Sequence, residues 1–219
     1  VMYAAWSGDE KSVALLMSAG SDAGIIDKNG RSLLMYASAG CGEEFIKKLI
    51  SMDLDVNTAD DTGRTPLMFA SLYGNTESAG VLLEHGADPN ARDCSGRPPV
   101  SMVAGKDSMG TLRLLVERGA NVDLADSGGK TPLMHMAETG RWGEAKYILS
   151  AGADVNAQDM LGRTALMYAS AGCRGWHDEI VRLLVSAGAD INTRGKDGET
   201  ALSLACLSGT MESVDFLLS

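Results

Sequence analysis

Short apolar clusters alternate with polar, glycine-marked stretches at a fixed spacing along this chain of 219 residues. One cluster, Leu67, Met68 and Ala70, predicts a short helix, with a break at Gly74; the same break recurs at Gly140. A second helix follows, with apolar residues at three-to-four spacing, as in Leu112, Leu115 and Val116. It stops at Gly86, Gly119, Gly152 or Gly188, because glycine enters the left-handed conformation without strain. Thr65-Pro66 and Thr131-Pro132 open the first helix, the hydroxyl as N-cap and the proline at the first helical position. Ahead of each first helix lies a turn, with Asp27, Asp60, Asp93 or Asp126 followed three residues later by Gly30, Gly63, Gly96 or Gly129. The aspartate folds onto the local backbone and the glycine supplies a positive φ.

The turn glycine steps by 33 residues four times, then by 36 to Gly198. Such self-similarity marks a repeat architecture, in which no segment covers its own apolar side and each leans on its neighbours. The repeats are 1–26 (partial), 27–59, 60–92, 93–125, 126–158, 159–194 (with three extra residues) and 195–219 (partial). The insertion enlarges the inter-helix turn around Gly172-Cys173-Arg174-Gly175-Trp176-His177, where Trp176 is expected to fold back over adjacent helices. The repeat 93–125 is the weakest: Pro98-Pro99 replaces Thr-Pro, and Gly105 and Gly110 dilute its helices, so raised mobility is expected over 98–110.

Thr-Pro-Leu near the start, as in Thr65-Pro66-Leu67, and Gly-Ala-Asp-Val-Asn at the end, as in Gly152-Ala153-Asp154-Val155-Asn156, with variants in the other copies, resemble the ankyrin repeat over the whole chain. The resemblance implies an all-α ankyrin-repeat solenoid of stacked helix-turn-helix units with β-hairpin fingers, one domain over 1–219, with a concave face of fingers and first helices. Where the family usually has histidine after Thr-Pro-Leu, this chain has Met35, Met68, Met134 and Met167. A thioether donates no hydrogen bond, so apolar contact is expected to replace the tie the histidine makes. Neither end has the polar outer face of a terminal repeat, so a segment of a longer array or larger protein is expected.

Composition narrows the function. With 29 acidic against 19 basic residues and a net charge of −10, the chain lacks the clustered cations that nucleic acid requires. No apolar run reaches the ~18 residues of a membrane span. Cys41, Cys94, Cys173 and Cys206 form no Cys-x-x-Cys pair and no zinc spacing, and are expected to be free thiols in a reducing, intracellular (cytoplasmic or nuclear) compartment. Gly129-Lys130-Thr131 lacks the glycine that a phosphate loop needs at Leu124. The acidic run from Asp53 departs from a calcium loop at Thr58 and Arg64, and His85, His135 and His177 form no ligand set. No nucleophile is spelled with its base, so no enzyme activity, cofactor or metal is expected.

Recognition remains. The residue after the turn glycine is Arg31, Arg64, Arg97, Lys130, Arg163 and finally Glu199, and its five cations form a line that could meet an acidic peptide or be neutralised by the nearby turn aspartates. The family's adaptable contact positions, at the finger tips and near the end of the first helix, fall on Trp6, Ile26, Asp61, Thr62, Leu72, Tyr73, Arg92, Met160, Leu161 and Arg194. Trp6, Leu72 and Tyr73 are expected to share one face, and Trp, Tyr and Arg are the usual anchors of interfaces. The resemblance also makes Asn57 and Asn192 candidates for asparaginyl hydroxylation. The function expected is a non-catalytic module that binds a protein or peptide on its concave face. The alternatives are a regulatory or targeting region of a larger enzyme, channel or effector, and an array that self-associates end to end.

Overall fold

The computed structural model describes residues 1–103, 105, 108–172 and 176–219. Cys173, Arg174 and Gly175 of the insertion, and Ala104, Lys106 and Asp107 of the segment expected to be mobile, lie outside the described residues. The chain forms two compact bodies, Val1–Asn121 and Val122–Ser219.

In the first body the helices come in pairs: α1 (Met2–Trp6) with α2 (Glu10–Ser18), α3 (Leu33–Gly40) with α4 (Glu43–Ile50), α5 (Pro66–Tyr73) with α6 (Thr76–Glu84), and α7 (Pro99–Met102) with α8 (Ser108–Glu117). The first helices α1, α3, α5 and α7 pack in a row, and the second helices α4, α6 and α8 in another. The second body repeats the plan with α9 (Pro132–Glu138), α10 (Trp142–Ser150), α11 (Ala165–Ala171), α12 (His177–Ser186), α13 (Ala201–Ser208) and α14 (Met211–Leu218). There α9, α11 and α13 form one row and α10, α12 and α14 the other.

Local chemistry accounts for the boundaries. The Thr65 and Thr131 hydroxyls accept from the N–H of Met68 and Met134, with Pro66 and Pro132 opening the helices. Ser32, Thr164 and Thr200 cap α3, α11 and α13 in the same way. Pro98 has no such hydroxyl, and α7 runs for only 4 residues where α5 runs for 8. In the repeat 27–59 the left-handed stop after the second helix falls on Asp53 at φ 60°, where the other repeats have glycine.

The core is the expected one. Leu33, Leu67, Leu133 and Leu166 are fully buried, and so are Met35, Met68, Met134 and Met167 to within 1%. Burial of each such side chain contributes about 1.5–3 kcal/mol. The methionines also form polar contacts: the Met35 and Met134 sulfurs accept the N–H of Ser32 and Thr131 at 3.4 Å, closing capping boxes with a weak acceptor.

A side-chain clamp recurs at the end of the repeats. The Asn57 amide donates to the Gly86 carbonyl at 3.0 Å and accepts the Asp88 N–H at 3.0 Å. Asn90 does the same with Gly119 and Asn121, and Asn156 with Gly188 and Asp190. Asp123 holds that place in its own repeat and accepts the Asp154 N–H at 3.0 Å.

The fingers are tight turns rather than paired strands. Asp60 N–H donates to Arg64 O at 2.9 Å and Gly63 N–H to Asp60 O at 2.8 Å, a pattern repeated at Asp27, Asp93, Asp126, Asp159 and Gly195. Among the described residues strand-like pairing is confined to the Ile26–Ser32 bridge. The reason is length: Arg64 closes the turn and Thr65 already caps the next helix, so no residues remain to extend a ladder. Neighbouring fingers are joined by single backbone bonds, Asp61 N–H to Asn29 O at 3.0 Å and Cys94 N–H to Thr62 O at 2.8 Å. Gly63, at φ 76°, makes this approach possible, since a Cβ there would stand 2.8 Å from the Cys94 nitrogen.

Cys41 is buried and free, and Cys94 and Cys206 are exposed and free. Burial, with a contribution from Glu10, pushes the Cys41 thiol up to about 12.

Candidate interaction face

Every finger turn but the one at Gly195 is organised by an aspartate. Asp27 Oδ1 accepts the N–H of Asn29 at 2.8 Å and of Arg31 at 2.9 Å. Its other oxygen accepts the Tyr36 hydroxyl at 2.9 Å, tying the finger to α3. Burial would raise this carboxyl, but the hydrogen bonds from Arg31, Asn29 and Tyr36 outweigh it and hold Asp27 below the usual carboxylate range. The tie recurs where His135 meets Asp126 at 3.0 Å and where the Tyr168 hydroxyl donates to Asp159 at 2.7 Å. Burial, reinforced by Lys130, lowers the His135 pKa despite Asp126, so this imidazole is neutral near pH 7.

The line of cations is engaged inside the fold. Arg31 meets Asp60 at 3.4 Å and lies over the Phe69 ring at 5.7 Å. Arg64 is 4.0 Å from Asp93, and Arg97 is 2.8 Å from the same carboxylate. In the second body Lys130 meets Glu138 at 2.5 Å and stands 4.0 Å over the Tyr168 ring, and Arg163 pairs with Glu199 at 2.8 Å. Arg31, Arg97, Lys130 and Arg163 are thus neutralised within the fold, and Arg64 stands at the limit of ion pairing.

In the first body the finger and first helices enclose a cleft of about 460 Å³. Tyr3 and Trp6 come from α1, Tyr36 from α3, Phe69 and Tyr73 from α5, and Asp27, Lys28 and Arg31 from the finger. Trp6 is 47% exposed and Tyr73 41%, so both present ring surface to solvent. Three expected contact residues, Trp6, Arg31 and Tyr73, therefore meet in one concavity. Leu72, expected beside Trp6 and Tyr73, is half-buried and does not line the cleft. Ile26, Asp61 and Thr62 are exposed at neighbouring fingers outside the lining.

The other expected residues are spread out. Arg92 and Arg194 are exposed, and each guanidinium donates to a turn carbonyl, Gly96 at 3.1 Å and Gly198 at 3.4 Å. Met160 and Leu161, 62% and 49% exposed, form an apolar finger tip in the second body. Trp176 lies against Trp142 with ring centroids 6.3 Å apart, so it folds onto the adjacent repeat while one face stays open.

Tyr3, Tyr36 and Phe69 escaped the sequence reading. Tyr36 and Phe69 do carry a signal, since they directly follow the buried methionines and share a column with His135 and Tyr168. Among the described residues no group of three or more His, Cys, Asp or Glu side chains could hold a metal, and no helix is long and apolar enough to cross a membrane. The family model for ankyrin repeats matches the chain in three copies, over residues 1–93, 89–159 and 143–219. No curated protein matches the chain.

Proposed function

The chain belongs to the ankyrin-repeat family, whose members are generally protein–protein interaction modules, and from this we propose that it binds a protein or peptide partner, without catalysis, on the concave face of fingers and first helices. The observation that carries this reading is the aromatic cleft of the first body, where Trp6 and Tyr73 stand half-exposed beside the finger residues Lys28 and Arg31. Rings held on packed helices lose little freedom when a partner covers them, so binding energy is not spent on ordering the receptor. Arg31, Arg64, Arg97, Lys130 and Arg163, already paired, supply the polar rim rather than the anchor. Ile26, Asp61, Thr62 and Arg92 extend the contact along the fingers, and Met160, Leu161 and Arg194 offer a separate apolar tip in the second body.

The test is capture of partners by the wild-type chain and by a Trp6→Ala/Tyr73→Ala variant with an unchanged melting profile. Anchor residues of this kind are each worth about 2 kcal/mol, roughly thirtyfold in affinity. Identical capture by both proteins would refute the cleft as the contact.

A second reading, end-to-end self-association, is favoured by the apolar side chains that α13 and α14 leave in solvent, Leu207, Met211 and Leu218. Sedimentation that stays monomeric as concentration rises would remove it.

A further inference from the structure

The chain has seven asparagines, and one differs from the rest in the residue that follows it. Asn29 is followed by glycine, whereas Asn57, Asn75, Asn90, Asn121, Asn156 and Asn192 are followed by Thr58, Thr76, Ala91, Val122, Ala157 and Thr193. A Cβ on the following residue crowds its nitrogen; Gly30 has none. The carboxamides of Asn57, Asn90 and Asn156 are held at both ends by the clamp, and that of Asn75 caps Ser78 while donating to the Cys41 carbonyl at 2.8 Å. Asn29 is exposed at the tip of its finger, and its main chain alone enters the hydrogen bonds drawn there.

We propose that Asn29-Gly30 is a site of spontaneous deamidation and isoaspartate formation. The Gly30 N–H is held by one turn bond, to Asp27 O at 3.1 Å. When that bond opens, hydroxide removes the proton and the Gly30 nitrogen attacks the Asn29 side-chain carbonyl carbon. The carbon–nitrogen bond of the carboxamide breaks, ammonia leaves, and a five-membered succinimide remains. Water then adds to one of its two carbonyls. Addition at the side-chain carbon returns a normal peptide with aspartate at position 29. Addition at the main-chain carbon returns isoaspartate, with the chain routed through the former side chain. The net change is one water consumed and one ammonia released, with no oxidation.

The finger is poorly built to absorb that detour. Asp27 Oδ1 grips the N–H groups of residues 29 and 31 together, at 2.8 and 2.9 Å, and isoaspartate inserts one more chain carbon between them. The Asn29 carbonyl that accepts the Asp61 N–H becomes a free carboxylate beside Asp60 and Asp61. Asp27, Lys28 and Arg31 line the aromatic cleft, so the modified finger changes one wall of it.

The experiment is incubation of the folded chain in mildly alkaline buffer, followed over time by peptide mapping with fragmentation that separates isoaspartate from aspartate. The expected result is a gain of one mass unit in the peptide containing Asn29, ahead of every other asparagine, with isoaspartate among the products. The Asn29→Gln variant, whose longer side chain closes a ring far less readily, should show no gain there. A gain that appears first at another asparagine overturns the proposal. So does an unmodified Asn29 in the folded chain when the urea-unfolded chain is modified there, because the turn then protects the site.

Discussion

Asp123→Asn tests the clamp that joins successive repeats. Asn57, Asn90 and Asn156 each accept one backbone N–H and donate to one glycine carbonyl, at distances of 2.7–3.1 Å. Asp123 keeps the accepting half, to Asp154 N–H at 3.0 Å, but a carboxylate has no proton to give to the carbonyl of Gly152, the glycine that matches Gly86, Gly119 and Gly188. Replacement by asparagine supplies that donor. A neutral hydrogen bond contributes about 0.5–1.5 kcal/mol net, and an exposed one falls toward the lower half of that range. For a chain of this length about 1 kcal/mol raises the melting temperature by roughly 2–4 °C. The reverse change, Asn156→Asp, keeps the bond from Asp190 and loses the one to Gly188, so it should lower stability by a similar amount. Urea unfolding by circular dichroism measures both, with native-state hydrogen exchange at Asp154 and Asp190 locating the effect. A drop in stability for Asp123→Asn, or no drop for Asn156→Asp, would refute the donor argument.

Asp53→Gly should raise the urea midpoint by the equivalent of about 0.5–1 kcal/mol, since a left-handed L-residue costs about 1–2 kcal/mol and glycine returns part of that through a freer unfolded chain. Pro98→Thr supplies the missing cap of α7 and should gain about 1 kcal/mol, read as slower hydrogen exchange at the amides of Val100, Ser101 and Met102. His135 has a lowered folded pKa, so its contribution is complete above the unfolded value of about 6.5 and is lost as pH falls below it, where the unfolded chain binds the proton first. His135→Tyr, which places there the residue found at Tyr36 and Tyr168, should keep a bond to Asp126 and flatten that part of the pH profile of stability; equal slopes in both proteins would count against it.

The sequence alone determined the repeat, the helix pairs and the buried columns, because each rests on local chemistry that recurs with the period. A Thr-Pro start caps a helix wherever it occurs, and a methionine column with fixed spacing must face the neighbouring repeat. Trp6 and Tyr73 became candidates through the resemblance to the ankyrin repeat, and Arg31 through the column that follows the turn glycine. Tertiary structure alone decided which of these side chains meet. Leu72 and Tyr73 are adjacent in the chain yet only Tyr73 lines the cleft, while Tyr3, Tyr36 and Phe69 reach it from three helices. It also decided the fate of the cations, because Arg31 and Arg163 find their carboxylates 29 and 36 residues away. Contacts between repeats depend on how far one helix pair is shifted and turned against the next, and that displacement is set by the packing of all the buried side chains together, not by any one repeat.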